Sequence, residues 1–132
     1  MKCEICGYQF IPWEKTDQKE HTQHCKKFLK AQRKYGNDFV NYYEGEKIKQ
    51  ENNPVIDDSS KDIRTRVNAA WRVLWVYYSR EIRLNGYKLN FCSFKAFVPD
   101  FLYQNPSIFP ADVMKELRVR YPSGARKRRK AV

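Results

Sequence analysis

The sequence predicts a mainly helical protein of the α+β class, with a small N-terminal unit and a C-terminal helical bundle. Three of the four cysteines and both histidines fall within the first 25 of its 132 residues, while apolar side chains recur at helical spacing in the second half. Hydrophobic residues make up 42% of the chain, which suffices for a core in each part. We therefore expect four segments: an N-terminal unit over 1–36, an acidic linker or mobile loop over 37–60, a helical domain over 61–122 and a basic disordered tail over 123–132.

The N-terminal unit contains two pairs of candidate metal ligands. Cys3 and Cys6 fit a tight turn that points both sulfurs at one place, and Gly7 can supply the positive φ of such a turn. His21 and Cys25 stand four residues apart, so a helix presents them on one face. Together they form the tetrahedral N/S set that structural zinc prefers. The sequence predicts one structural Zn²⁺ ion held by Cys3, Cys6, His21 and Cys25.

Two alternatives stay open for these residues. His24 competes for a place in the ligand set, and a pair made of His21 and His24 would leave Cys25 free. A redox-active Cys-x-x-Cys pair is the other alternative, although the chain lacks the βαβ pattern that surrounds a thioredoxin-like motif.

Residues 3–25 resemble a zinc finger of the ββα kind, in its Cys-Cys-His-Cys form. The four ligands match that pattern, and Phe10 stands where such fingers place a core aromatic residue. The alternation of Tyr8 and Phe10 with polar Gln9 predicts a short strand that packs the two aromatic rings against the metal site, and the resemblance implies a ββα fold. A small ubiquitin-binding finger has a similar ligand order, which implies ubiquitin binding as a weaker alternative function.

The helix of the N-terminal unit is predicted from its ends. Asp17 and Glu20 have the spacing of a capping box, so we expect the helix to start near Asp17. Gly36 is a helix-terminating residue and is expected to end it. The next stretch, residues 44–60, is charged and rich in Gly, Asn, Asp and Pro, which is typical of a linker or mobile loop.

Three helices are predicted in the C-terminal part. The first begins after the Ser59-x-x-Asp62 pair, ends at Asn85-Gly86, and carries a helical-period stripe expected to be core: Ile63, Val67, Ala70, Trp71, Leu74, Tyr77 and Tyr78. Ser93 can cap a second helix, which Pro99 would kink, and Cys92 before it is expected to be a small core residue. Pro110 and Asp112 suit the start of a third, with Val113, Met114, Leu117 and Tyr121 on its buried side.

The charge distribution indicates an anionic partner. The formal net charge is +11, with −4 over residues 37–60 and +7 over residues 115–132. Such clustering is typical of proteins that bind nucleic acid or a ribonucleoprotein. The residues predicted to contact phosphate lie on the first helix, on the far side of the long helix and in the tail: Lys26, Lys27, Lys30, Arg33, Lys34, Arg72, Arg83, Arg126, Lys127, Arg128, Arg129 and Lys130.

Catalysis is not expected, because no histidine follows His24, no Gly-rich phosphate loop occurs and four protein ligands would close the zinc site. The sequence favours a non-catalytic, zinc-containing, nucleic-acid-binding accessory or regulatory protein. The alternative is a protein-interaction module: a small adaptor or inhibitor, of viral or mobile-element origin for example, that docks on a nucleic-acid enzyme or ribonucleoprotein. Trp13 and Trp75 would suit such an interface.

The expected location is the cytoplasm, or the nucleus if the host is eukaryotic. No secretory leader is recognised after Met1, and no apolar run approaches the roughly 18 residues needed to span a bilayer, so no membrane partner is expected. A reducing compartment agrees with reading Cys-x-x-Cys as metal chemistry. The basic run at 126–130 resembles a nuclear import signal.

Overall fold

The computed structural model describes residues 1–88 and 90–122, and over these residues the chain is mainly helical and forms no β-sheet. The described helices are α1 (Lys15–Tyr35), α2 (Tyr42–Asp57), α3 (Ile63–Leu84), α4 (Phe94–Gln104) and α5 (Ala111–Arg120). The predicted tail, including Arg126 to Lys130, lies outside the described residues. None of the described helices is both long and apolar enough to cross a bilayer.

The described chain divides into two compact units. The first consists of Met1–Ile48 and Trp75–Phe91, and the second of Lys49–Leu74 and the described residues from Cys92 onward. The helices α2 and α3 each contribute residues to both units.

The ββα arrangement implied by the resemblance is not shown. Among the described residues the extended pairing before α1 is a single isolated bridge between Lys2 and Gln9. The backbone turns back at once instead: the Cys3 N–H donates to the Tyr8 carbonyl at 3.0 Å, and the Gly7 N–H donates to the Cys3 carbonyl at 2.9 Å. A chain that reverses over so few residues is too short to form a strand ladder of the usual length.

Helix α1 ends as predicted but begins differently. At its C-terminus the Gly36 N–H donates to the Gln32 carbonyl, and Gly36 takes a φ of 97°. Its N-cap is Glu14, whose side chain makes no capping bond. Asp17 is not a cap, because its carboxylate accepts the N–H of Ile11 at 2.9 Å and so fastens the preceding loop to the first turn.

The segment predicted to be a linker contains helix α2. Asn41 starts it with a reciprocal capping box: its Oδ1 accepts the Glu44 N–H at 2.9 Å, and Glu44 Oε1 accepts the Asn41 N–H at 3.2 Å. The charged composition predicted a linker, but the Glu, Lys and Gln residues that produce it are also good helix formers. Ile56, near the end of the helix, is 1% exposed.

In the first unit, aromatic rings form much of the core. Phe28 of α1 contacts Phe39 and Tyr87, with ring centroids 5.3 and 6.5 Å apart. The buried loop residue Val40 has its N–H bonded to the Ser79 hydroxyl at 3.1 Å and its carbonyl bonded to Arg83 Nη1 at 2.7 Å. Ser79 is fully buried, and its hydroxyl satisfies this buried backbone group.

In the second unit, the predicted helical stripe of α3 is only partly correct. Val67, Ala70 and Leu74 are buried, whereas Trp71 is half-buried and Ile63 is exposed at the start of the helix. The N-cap is Asp62, whose carboxylate accepts the Thr65 N–H at 2.9 Å.

The rest of the second unit follows the predicted α4 and α5. Ser93 caps α4 through the Ala96 N–H, and the predicted residues Val113, Met114 and Leu117 are buried on α5. Cys92 is exposed, contrary to its expected core position, since it precedes the cap of α4 rather than lying inside the helix.

One buried charge is satisfied within this unit. Arg66 is 4% exposed, donates from Nε to the Ile56 carbonyl at 2.9 Å, and binds the Asp112 carboxylate with both terminal nitrogens, at 2.6 and 3.3 Å. The sequence predicted Asp112 only as a residue suited to the start of the third helix. In the structure it is also the anionic partner of the buried Arg66 guanidinium.

Candidate metal centre

The turn before α1 holds the first two candidate ligands. Gly7 has a φ of 77°, as the sequence predicts for the residue after Cys6. With the Gly7 N–H bonded to the Cys3 carbonyl, the turn encloses Cys3 to Cys6. Cys6 is 3% exposed and Cys3 is half-buried. The backbone therefore fixes two sulfurs side by side at the edge of the first unit's core.

Helix α1 supplies the other two candidate ligands one turn apart. The ligand atoms of Cys3, Cys6, His21 and Cys25 all lie within 4.8 Å of one another. Donors in a tetrahedral site with Zn–S bonds of about 2.3 Å are roughly 3.8 Å apart, so this group needs little contraction to close on an ion. The structure confirms that the four predicted residues come together in a group able to hold one metal ion.

The pKa values of the three sulfurs are set by burial, by hydrogen bonds and by one another. The pKa of Cys6 is raised to about 12, mainly by burial and also by the neighbouring Cys3 and Cys25. Burial likewise raises the pKa of Cys25. Burial also acts to raise the pKa of Cys3, but hydrogen bonds from the backbone of Cys6 and Ile5 and from the His21 side chain outweigh it and lower the pKa to about 6. Three adjacent sulfurs resist carrying three negative charges without a cation, and a bound dication reverses that preference.

His21 is oriented by aromatic rings. The Phe10 ring stacks on it with centroids 4.2 Å apart and planes 8° from parallel, and Tyr8 stacks at 5.9 Å. The predicted packing of Tyr8 and Phe10 on the site is therefore present without the strand. His21 Nε2 is buried and has no hydrogen-bond partner among the described residues. A buried ring nitrogen without a proton partner suits a metal ligand.

His24 lies outside the ligand group. Its Nε2 is 2.8 Å from the Tyr87 hydroxyl, and the two rings meet edge to face with centroids 5.2 Å apart. Burial lowers the pKa of His24, and the positive charges of Lys27 and Arg83 act in the same direction. The structure places His21, rather than His24, with the three cysteines.

Asn41 is a supporting residue that the sequence analysis missed. It is 2% exposed, and its Nδ2 donates to the Ile5 carbonyl, between the two cysteines of the turn, at 3.0 Å. The same side chain caps α2, so one amide joins the ligand turn to the start of that helix. The signal was present in the sequence, since Asn41-x-x-Glu44 has the spacing of a capping box.

The predicted cationic residues separate into four groups. On α1 the exposed cations are Lys26, Lys27, Lys30, Arg33 and Lys34, called here the basic face. Arg72 is exposed on the part of α3 that belongs to the second unit. Arg83 is half-buried in the first unit and bonded to the Val40 carbonyl, so it has a structural role. The tail cations lie outside the described residues.

The donor set determines what this arrangement can do. Four N/S donors complete a tetrahedral sphere and leave no open position for a substrate, as in structural metal sites. Comparison with protein-family models, with curated proteins and with solved structures gave no significant match.

Proposed function

We propose that the chain binds one structural zinc ion through Cys3, Cys6, His21 and Cys25. Thiolate-rich tetrahedral sets suit zinc, whereas carboxylate and carbonyl oxygens suit magnesium or calcium. The close approach of the four donors carries this proposal. Metal analysis of the purified protein should give one zinc per chain, and exchange of Cys6 for serine should abolish it. Stoichiometric zinc in Cys6→Ser would refute the assignment.

The surroundings of the site support this metal. Zinc with three thiolates and a neutral imidazole carries a net charge of −1. Arg83 lines the same small cleft, about 290 Å³, as Cys6 and Tyr87. Burial lowers the pKa of Arg83, and no described carboxylate forms an ion pair with its guanidinium. A half-buried cation without a carboxylate partner is suited to balance an anionic metal centre.

We further propose that the protein is a non-catalytic nucleic-acid-binding accessory or regulatory protein that contacts phosphates. The observation that carries this proposal is the basic face of α1. Its five cations are exposed, and within the described ranges none of them forms an ion pair. Because the face starts one residue after the ligand Cys25, the metal centre fixes its position in the first unit. Clustered cations without anionic partners favour a polyanion.

A matched pair of double variants tests this role. Lys26→Gln/Lys30→Gln removes two charges from the basic face, and Lys15→Gln/Lys19→Gln removes two charges at the same spacing from the start of α1. We expect the first to weaken binding to a mixed-sequence duplex and to reduce the slope of log affinity against log salt by about 1.8, or 0.9 per contact. The second should leave the slope close to that of the unmodified protein. Equal slopes in both variants would contradict a role for the basic face.

Exposed aromatic and aliphatic side chains favour the protein-interaction module as a second candidate. Trp13 is 83% exposed and Ile11 44% exposed at the loop before α1. Aromatic anchors of this kind are enriched at protein interfaces. Trp75 is half-buried against Tyr78, with centroids 5.1 Å apart, and is a weaker anchor. Binding that persists from about 50 to 200 mM salt and is lost in Trp13→Ala would favour this candidate over phosphate contact.

A further inference from the structure

The second unit carries a groove that neither the metal centre nor the basic face uses. It lies where α4 and α5 end, encloses about 610 Å³, and is lined by two tyrosines, three prolines, Leu102 and Arg118. This volume is within the range of about 300–1,000 Å³ that ligand sites occupy. The tyrosines are Tyr103, in the last turn of α4, and Tyr121, just after α5.

Tyr103 gives the groove an open aromatic surface. Its side chain is 78% exposed, although the adjacent Leu102 is 1% exposed and anchors the helix in the core. Within residues 1–88 and 90–122, Tyr103 makes no hydrogen bond, ion pair or ring contact. The prolines of the groove restrict the backbone beside it. A flat ring held on a rigid helix and left uncovered can stack on another planar group.

The charge around the groove selects a polyanion as its occupant. Arg118 is exposed and has no ion pair among the described residues. With Arg120 it lies in the last turn of α5, where the two cations offset the partial negative charge of the helix C-terminus. A neutral peptide would gain no electrostatic attraction from these two arginines.

We propose that this groove binds an unpaired base of single-stranded nucleic acid, with Tyr103 stacked on the base and Arg118 bonded to an adjacent phosphate. The inference rests on the proposed nucleic-acid-binding function and adds to it a site that is specific for single strands. A paired base is already stacked within its duplex and does not offer its face to a protein ring. Aromatic stacking together with cationic backbone contact is the recurring physical basis of single-strand binding.

The test compares two 12-nucleotide probes of equal charge, oligothymidine and an abasic strand. Tyr103→Ala should weaken oligothymidine binding at least about fivefold, because stacking contributes about 1 kcal/mol or more per base. It should leave abasic-strand binding unchanged, and Tyr103→Phe should keep the wild-type preference for oligothymidine. Arg118→Gln should weaken both probes, whereas Arg64→Gln, the same change on exposed α3 surface, should weaken neither.

The outcomes separate this inference from the proposed function. If the unmodified protein binds both probes in a salt-sensitive way and Tyr103→Ala changes neither affinity, the groove proposal is wrong and the phosphate-binding function stands. If the unmodified protein binds no nucleic acid, both fail. Loss of binding to a proline-rich peptide in Tyr103→Ala, with oligothymidine binding intact, would also overturn the proposal. Circular dichroism verifies folding, which an exchange at an exposed side chain should preserve.

Discussion

Replacement of Asn41 by alanine should destabilise the folded protein although no metal ligand is changed. Asn41 is 2% exposed and makes two structural bonds with one side chain. Its oxygen caps α2, and its amide nitrogen holds the Ile5 carbonyl of the ligand turn. Both partners lose their bond in Asn41→Ala, because the alanine methyl group has no polar atom to replace the side-chain amide.

The expected magnitude follows from these two bonds. Loss of an N-cap costs about 1 kcal/mol, and loss of the part-buried hydrogen bond to Ile5 costs about 1 kcal/mol more. Asn41→Ala should therefore lower the free energy of unfolding by about 2 kcal/mol. Asn41→Ser retains a capping oxygen but cannot reach the Ile5 carbonyl, so it should lose about half as much. Since that second bond positions the ligand turn, Asn41→Ser should also weaken zinc binding about fivefold.

Urea unfolding of the zinc-loaded protein measures the stability change, and chelator competition measures the metal affinity. Asn53→Ala is the matched control, because it makes the same chemical change at an exposed position of α2 and should cost little or nothing. A loss below about 0.5 kcal/mol in Asn41→Ala would refute the reasoning. So would equal losses in the alanine and serine variants, since the bond to Ile5 would then contribute nothing.

Three further predictions follow from the structure. His21→Ala should lose stoichiometric zinc whereas His24→Ala should retain it, as measured by metal analysis; the reverse result would make His24 the ligand. The hydrogen bond from Arg66 lowers the pKa of Asp112 below its ordinary 3.8, so this pairing stabilises the fold at neutral pH and is lost as pH falls through the lowered pKa. Asp112→Asn should accordingly reduce stability to urea at pH 7 and make no difference once the wild-type carboxyl is protonated; an equal loss at both pH values would contradict the pairing. Replacing a helical glycine by alanine usually stabilises a helix by about 1 kcal/mol, but Gly45→Ala should show no such gain in thermal unfolding. The new Cβ would lie 2.8 Å from a valine methyl of α3, which is too close for a normal contact. A clear stabilisation would show that this contact relaxes without cost.

The metal group was predictable because its signal is local. Two cysteines around a glycine-containing turn and two ligands one helical turn apart determine their own geometry, so no long-range packing is needed to recognise them. The distinction between His21 and His24 needed the fold. Tyr87, which binds His24, is 63 residues away in sequence and gives no local sign of that contact.

The errors in the fold arose where short-range rules compete with tertiary packing. The charged composition around Glu46 and Glu51 is compatible with a loop or a solvated helix, and the cap at Asn41 decides for the helix. Arg83 was predicted to contact phosphate from the far side of a helix of clear period, and Ser79 lies one helical turn before it. Both side chains bond to the backbone of Val40 and are buried or half-buried as a result. The hydrophobic period of α3 carries no information about where Val40 lies.

The first unit is built from two separate stretches of the chain, residues 1–48 and 75–91. The N-terminal stretch alone is therefore not expected to bind zinc as well as the full chain does. A synthetic peptide ending at Gly36 would contain every proposed ligand and the whole basic face. It would lack Asn41, whose side chain bonds to the Ile5 carbonyl of the ligand turn, and Tyr87, whose hydroxyl bonds to His24. We expect such a peptide to bind zinc more weakly than the full chain and to exchange it faster. The centre therefore depends on residues distant in sequence, and the N-terminal segment alone cannot be transplanted as an independent zinc-binding module.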